Sequence, residues 1–403
     1  MEIEAKSAEN QKVLNRYLVL AFGMIIQLCA GVIYMWSVFR KPVSDYLSWD
    51  ASLTSSIMLA TFVLGIIVGG RFQDKFGPRP VTVAGSVLIS LGIILSSLVT
   101  IDNPYLIYLT YGVIGGFGDG VLYTTTVSVV QKWFVDKRGF GSGFMVAAFG
   151  FSLVIFSPIA NAMLKGIGVP NTFLALGLAF LAICLVSSIF IVNPPEGFMP
   201  KGYVPAKANV TKKQFTTKEM LKTKQFYLIT LSLALILPAY FILNPLFLSL
   251  GTQRGLSESM ALLGVMITGI ASASGRLITS WLSDLIGRKG AVYMINLITF
   301  VSILIMIFAK GVLFIVCIAA IAFGFGGAAG VYPAITADNF GTKHIGLNYG
   351  CVMIGFGTSA IVFPLISSYF IKNSEYVWPF LLSALCCLVA MILVYLQKKP
   401  SEV

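Results

Sequence analysis

The chain has 403 residues, of which 57% are hydrophobic and only 11% charged, and its mean hydropathy is +0.89. Soluble domains carry about 25% charged residues, so this composition excludes an ordinary water-soluble globule and points to a chain built for lipid. The net charge of +12 would suit nucleic acid if the basic residues were pooled; they are instead distributed by loop, and nucleic acid is not an expected partner.

Apolar stretches of about 17–25 residues, the length that crosses a hydrocarbon core, recur along the whole chain. In order they are 17–39, 52–70, 80–100, 105–130, 140–164 and 172–192, then 226–248, 259–281, 291–308, 312–336, 346–370 and 377–396. The pattern predicts an all-α membrane protein with twelve transmembrane helices. Met1–Gln11 is polar and the first apolar run has full span length, so a retained first span is expected rather than a cleaved signal peptide. Segment 193–224 is polar, with Pro194, Pro195, Pro200 and Pro205 followed by lysines at 207, 212, 213, 218, 222 and 224. It reads as a cytoplasmic linker between two six-helix bundles, 1–192 and 225–403. Its end, 216–224, is expected to form a short surface helix whose lysines can touch anionic lipid.

With alternate loops assigned to opposite sides, 21 of the 28 Lys and Arg residues fall on one side and 6 on the other; Arg276 lies inside a span. This is the positive-inside asymmetry, and it predicts a plasma-membrane protein with both termini cytoplasmic. Cys29, Cys184, Cys317, Cys351, Cys386 and Cys387 all fall in spans and show no metal or redox spacing. His344, the only histidine, falls in a loop. No metal, no cofactor and no nucleophile–base pair is expected, which argues against an enzyme.

Arg276 interrupts the eighth span within Gly264-Val265-Met266-Ile267-Thr268-Gly269-Ile270-Ala271-Ser272-Ala273-Ser274-Gly275-Arg276. A guanidinium at such depth costs about 2.5–3.5 kcal/mol or more, so it belongs in a bundle interior or a water-filled path. It lies eight residues before Asp284, about 12 Å along a helix. There it can hold a carboxylate bidentately, or form a structural ion pair with Asp119. Asp119 interrupts Gly115-Gly116-Phe117-Gly118-Asp119-Gly120 in the fourth span. It is a candidate proton-coupling acid: substrate would compete with it for the arginine, and it would then take a proton. A helix-packing role is the alternative. Tyr123, four residues on, shares its helix face.

Tyr34, Trp36, Tyr332 and Phe356 also sit in spans, where phenols can donate to a carboxylate and rings exclude water; each could equally be a packing aromatic. Asn244 and Gln27 are further polar candidates. Gly112, Gly116 and Gly120, like Gly326 and Gly330, have the small-xxx-small spacing of close helix packing, not of a dinucleotide loop.

The two halves resemble each other. Phe72-Gln73-Asp74-Lys75-Phe76-Gly77-Pro78-Arg79 follows the second span, and Leu282-Ser283-Asp284-Leu285-Ile286-Gly287-Arg288-Lys289 follows the eighth. Gly116-Phe117-Gly118 answers Gly324-Phe325-Gly326, Tyr123 answers Tyr332 approximately, and Pro158 answers Pro364. Such an internal repeat across a polar linker is the build of two-bundle secondary transporters.

Gly70-Arg71-Phe72-Gln73-Asp74-Lys75-Phe76-Gly77-Pro78-Arg79 matches the signature G-x-x-x-D-K/R-x-G-x-R, and in this the sequence resembles the major facilitator superfamily. The resemblance implies that fold and a cytoplasmic gating latch built on Asp74, Arg79, Asp284 and Arg288. Within the superfamily the chain is most similar to the oxalate/formate antiporter family and its monocarboxylate-transporting relatives. The residues concerned are Gly31-Val32-Ile33-Tyr34-Met35-Trp36-Ser37-Val38-Phe39, the Gly-rich fourth span, Lys132-Trp133-Phe134-Val135-Asp136-Lys137-Arg138-Gly139, and Gly275-Arg276. This similarity implies that Arg276 binds a substrate carboxylate and that Tyr34, Tyr123, Tyr332 and Phe356 line the cavity, with Asn244 a polar neighbour.

The chain departs from those exchangers in the eleventh span. Where they carry a second cation, it reads Phe356-Gly357-Thr358-Ser359. One fixed charge suits one carboxylate, because a dianion would leave a charge uncompensated in a low-dielectric site. Animal-type monocarboxylate transporters carry an acid and a lysine where this chain offers Ser272 and the Tyr34 region. The expected function is therefore secondary transport of small monocarboxylates of the lactate, pyruvate or formate type by alternating access, coupled to protons through Asp119. The expected partners are the organic anion, protons and the lipid bilayer, and the chain is expected to act as a monomer. The alternatives are an oxalate/formate-type anion exchanger, a sugar or drug exporter, and a non-transporting membrane sensor of carboxylates.

Overall fold

The computed structural model describes residues 14–200, 213–243, 246–372 and 377–398. Among these, eleven helices are long and apolar enough to cross a membrane. One of them, Arg138–Ser188, has 51 residues and turns at Gly168 (φ 77°, ψ 176°). At 1.5 Å per residue it would be roughly twice the length a bilayer needs, so it is two spans and the total is twelve, as the sequence predicts.

The spans are α1 (Arg16–Leu47), α2 (Thr54–Phe76), α3 (Pro78–Leu98) and α4 (Tyr108–Trp133), then α5 (138–167) and α6 (169–188) on either side of Gly168. The second half runs α7 (Lys224–Leu243), α8 (Ser259–Ile286), α9 (Arg288–Phe308), α10 (Gly311–Phe340), α11 (Ile345–Ile366) and α12 (Val377–Leu396). Each half packs chiefly within itself, α2 on α4 and α8 on α10, while α8 against α5 and α11 against α2 join the halves. This is the two-bundle arrangement. Leu64, Phe72, Leu98, Met266, Phe308 and Leu365 are exposed on the outside, the apolar surface that lipid covers.

Two boundaries differ informatively from the sequence expectation. The signature segments are not loops: Asp74 and Asp284 lie in the last turns of α2 and α8, and each helix ends on a glycine, Gly77 and Gly287, both at φ +84°. Only glycine takes that conformation at little cost, and Pro78 then starts α3 where a missing N–H is harmless. The first span also runs past Phe39 to Leu47. Inside it, Gly31–Met35 tightens to a 3-10 turn, and α7 breaks before Pro238. These irregular stretches occupy matching places in the two halves.

Glycines set the helix contacts and, with them, the register of the repeat. A Cβ on Gly65 would strike the carbonyl oxygen of Phe117, and one on Gly275 would strike that of Phe323. Likewise Gly120 abuts the carbonyl of Phe62, and Gly326 that of Ser272. These paired contacts superpose α4 on α10 with a shift of 206 residues. The Gly-Phe-Gly and Tyr123–Tyr332 matches read from the sequence are therefore displaced by two or three residues. In the structural register Asp119 answers Phe325, Tyr123 answers Ala329, and Thr126 answers Tyr332.

The short helix expected at the end of the linker is Thr217–Met220, closed by a capping box between Thr216 and Glu219. Hydrogen bonds from the Thr216 backbone N–H and hydroxyl hold the Glu219 carboxyl below its usual range. Phe215 and Met220 are buried, and Thr217 Oγ1 donates to Asn348 Oδ1 at 2.8 Å, so this end of the linker rests on α11.

The glycine contacts make a direct prediction. Gly326→Val is expected to lower stability by about 1–3 kcal/mol, seen as a lower midpoint in thermal unfolding of the detergent-solubilised protein. Gly269→Ala, where an added Cβ meets nothing within 4 Å, should leave the midpoint unchanged.

Candidate functional site

A narrow cavity lies between the two halves. The first half contributes Tyr34, Phe62, Tyr123, Val146 and Phe149; the second contributes Leu233, Arg276, Phe325, Ala329, Tyr332, Tyr349, Met353 and Phe356. The walls are aromatic or aliphatic almost throughout, so the polar groups that remain decide what the cavity can hold.

Arg276 is the only charged side chain in that lining, and it is 3% exposed. Its Nη2 donates to Tyr34 Oη at 3.1 Å, and Nη1 makes a long contact of 3.5 Å with the Val146 carbonyl. Its Nε has no partner. The guanidinium carbon also lies 5.5 Å from the Tyr34 ring centroid. Among the described residues no carboxylate lies within ion-pair distance of it. The charge is thus solvated by neutral oxygens and a ring, and the structural ion pair with Asp119 does not form.

The seat of the guanidinium depends on Gly150 in α5, since a Cβ there would collide with Nη1. Tyr34 is delivered by the 3-10 turn of α1, Tyr123 by α4, Tyr332 by α10, and Tyr349 and Phe356 by α11. Phe325 and Phe356 form an aromatic wall with Phe241, their centroids 5.5 and 5.3 Å from its ring. Tyr34, Tyr123, Tyr332, Phe356 and Arg276 are therefore brought together in one lining.

The remaining candidates go elsewhere. Asp119 is fully buried, absent from the cavity lining, and neither carboxylate oxygen has a hydrogen-bond partner. It packs within the first bundle, where its electrostatic neighbours include Tyr111 and Cys184. Direct competition between Asp119 and a substrate for Arg276 is not available in this geometry; Tyr34 occupies the place beside the guanidinium that the acid was expected to take. Gln27 ties α1 to α4 through Thr126 Oγ1 at 3.0 Å and the Tyr123 carbonyl, and Trp36 packs on Tyr111. Both are core residues. Asn244 lies outside the described residues.

The signature segments tie the two halves together. Asp74 accepts from the backbone N–H groups of Gly346 (3.2 Å) and Leu347 (2.9 Å), at the start of α11. Asp284 accepts from Gly139 (2.9 Å) and Phe140 (2.8 Å), at the start of α5. Each carboxylate caps the N-terminus of a helix in the opposite half, where the exposed N–H groups and helix dipole favour negative charge. Arg288 pairs with Asp284 (2.6 Å) and with Asp338 (2.8 Å), and Arg138 crosses from the first half to Asp338 (2.6 Å).

Arg79 does not join this cluster. It is exposed and makes no hydrogen bond or ion pair among the described residues. The repeat explains why: Pro78, not Arg79, stands where the second half has Arg288, so only one half can build the charged cluster. Arg138, Asp338 and Tyr349 were missed from sequence. Arg138 was visible in the Lys132–Gly139 block, but nothing local marks Asp338 as its partner 200 residues away.

The geometry predicts that Asp74→Asn weakens this tie between the halves. Labels at the exposed positions 71 and 343 should show the longer-distance population rising about 2–10-fold in spin-label distance measurements, the effect of losing one charge-assisted tie.

A family model described as "Major Facilitator Superfamily" matches residues 19–249 and 229–403. An MFS-type transporter of Escherichia coli K12, YhjX, is 29% identical over 86% of this chain and 86% of its own length. The oxalate:formate antiporter of Oxalobacter formigenes is 28% identical over 94% of this chain and 90% of its own. Rat monocarboxylate transporter 9 is 30% identical, but over 40% of this chain and 31% of its own. Among solved structures, the transporter FucP in its outward conformation covers 94% of this chain and 99% of its own, with TM-score 0.73 at 15% identity. The human organic anion transporter MFSD10 does so with TM-score 0.71 at 13% identity; at such identities these two speak for the fold alone. The chain belongs to the Major Facilitator Superfamily, and it is a membrane transporter rather than an enzyme.

Proposed function

We propose that this transporter carries small monocarboxylates across the cytoplasmic membrane by alternating access, with both termini on the cytoplasmic side. The single observation that carries the reading is the buried guanidinium of Arg276, facing an aromatic cavity without a carboxylate of its own. A buried charge lacking a partner is costly, and a small organic acid supplies the missing one. Tyr34 turns a second donor to the same place. A singly charged acid neutralises Arg276; a dianion would leave one charge over in a cavity lined by no second cation. The oxalate:formate antiporter and the monocarboxylate transporter among the relatives fit this chemical class.

The same observation favours exchange over net uptake. The loaded site is neutral and can pass between its two orientations, whereas the empty site would have to do so with an uncompensated charge. Proton coupling is the second reading, and the unpaired, fully buried carboxyl of Asp119 favours it. In that case the proton acts from within the first bundle, at a distance from the substrate.

Arg276→Gln, which keeps hydrogen-bonding capacity without charge, is expected to lower exchange of labelled lactate, pyruvate or formate in proteoliposomes at least about 100-fold, the scale of losing a charged hydrogen-bonded partner. Wild-type rates in that variant would end the proposal. Asp119→Asn separates the coupling readings. Exchange should survive in the variant, and uptake driven by a pH gradient should vanish if the carboxyl carries the proton. Gradient-driven uptake that persists would assign coupling elsewhere.

A further inference from the structure

The hydroxyl groups lining the cavity differ in which protons are already engaged. Tyr332 Oη lies 2.8 Å from Ser232 Oγ, and Ser232 gives its own proton to the Ile229 carbonyl at 2.8 Å. With Ser232 donating to that carbonyl, Tyr332 can donate to Ser232, so both protons have acceptors. Tyr34 Oη accepts from Arg276, and its proton has no acceptor among the described residues.

Tyr123 and Tyr349 face each other across the two halves. Their hydroxyls are 3.3 Å apart and make no other hydrogen bond among the described residues, and their rings stack at 6.5 Å and 27°. Each hydroxyl brings one proton, and the bond between them uses one. One O–H donor is therefore left over, on a pair that lines the same cavity as Arg276 and is 3% exposed or less. A donor with no acceptor in an apolar cavity is as unfavourable as any other unmet buried polar group.

From this inventory we infer that Tyr349, paired with Tyr123, is a specificity-determining residue that recognises a second, uncharged oxygen on the substrate. The substrate class is then narrower than small monocarboxylates at large: it is acids carrying a neutral acceptor such as a 2-oxo or 2-hydroxy group. Their carboxylate lies at Arg276 and Tyr34, their neutral oxygen at the tyrosine pair, and their remaining carbon against the aromatic walls. The inference rests on the monocarboxylate reading of the cavity. A site built to hydrogen-bond a substrate oxygen discriminates strongly against the analogue that lacks it, because its own polar group is then left without a partner.

The position of Tyr349 gives this contact a further consequence. It stands one turn after Gly346 and Leu347, whose N–H groups are held by Asp74. The stretch Ile345–Val352 is a separate helical segment, ended at Met353 before the rest of α11. One short segment thus presents its N-terminus to Asp74 and its next turn to the cavity. A substrate oxygen at the tyrosine pair therefore lies beside the segment whose N-terminal N–H groups Asp74 holds, whichever of the two hydroxyls keeps the free proton.

Equilibrium binding to the full-length protein in detergent tests the inference, with pyruvate, lactate and propionate as probes of nearly equal size. Wild-type protein should bind pyruvate and lactate at least about 3–10-fold more tightly than propionate, the range of one net hydrogen bond. Replacing both tyrosines, Tyr123→Phe with Tyr349→Phe, removes the donor and should abolish that preference by weakening the first two acids, leaving propionate within about two-fold. Either single Phe variant still offers one free O–H and should keep a preference, which serves as the readout if the double variant does not fold. Equal wild-type affinity for the three acids would overturn the inference, as would a uniform loss for all three in the Phe variants. Arg276→Gln keeps the two proposals apart. If it weakens all three acids while pyruvate and propionate bind alike to wild type, the monocarboxylate reading stands and this inference falls. If no acid binds wild-type protein, both fall.

Discussion

A positive charge sealed inside an apolar, membrane-spanning bundle governs the rest of this structure. Arg276 is 3% exposed and meets only a phenol oxygen, a distant carbonyl and the edge of space beside Gly150. Such a group persists only if the fold gives it a counter-charge or reserves room for one that arrives from outside. Here the nearest acid in the sequence reading, Asp119, is turned into another part of the first bundle. On the proposed reading the counter-charge is the substrate, and selectivity for a singly charged acid and the reluctance of an empty site to change orientation both follow from that one imbalance.

The scaffold around the charge obeys a two-fold repeat, and departs from it where function requires. Both halves end their second helix on a glycine at φ +84°, and both place an aspartate on the opposite half's helix N-terminus. These contacts between the halves are therefore near-duplicates. The charged cluster of Arg138, Asp284, Arg288 and Asp338 is not duplicated, because Pro78 stands in the place of Arg288. The cavity is also lopsided in charge: each half brings four of the lining aromatics, but the second brings the cation, while the first brings Tyr34 to hold it. At equivalent positions the repeat places Asp119 in one half and Phe325 in the other. An acid in one core thus answers a cavity-wall aromatic in its partner.

The twelve spans and the paired aspartates were legible in the sequence because they rest on local signals: run length, hydropathy, and acid and glycine at fixed offsets. Arg276 was legible for the same reason, since a charge in an apolar run is conspicuous. Its partners were only half legible. Tyr34 and Tyr123 could be proposed as cavity aromatics, but only packing decides that Tyr34, not Asp119, sits beside the guanidinium. Tyr349 was invisible, being one tyrosine among sixteen, marked by nothing until α11 is laid against α4. The register of α4 on α10 failed for a related reason. Gly-Phe-Gly occurs in both spans, yet the glycines that match structurally are those that press on a neighbour's carbonyl, and a single sequence does not reveal them.

An experimental structure of the full chain with lactate bound tests the central claim most directly. The account predicts the carboxylate within hydrogen-bond distance of the Arg276 guanidinium and the Tyr34 hydroxyl, with no protein carboxylate in that place. Lactate bound elsewhere, or an Arg276 side chain paired to an acidic residue while the acid is bound, would contradict it.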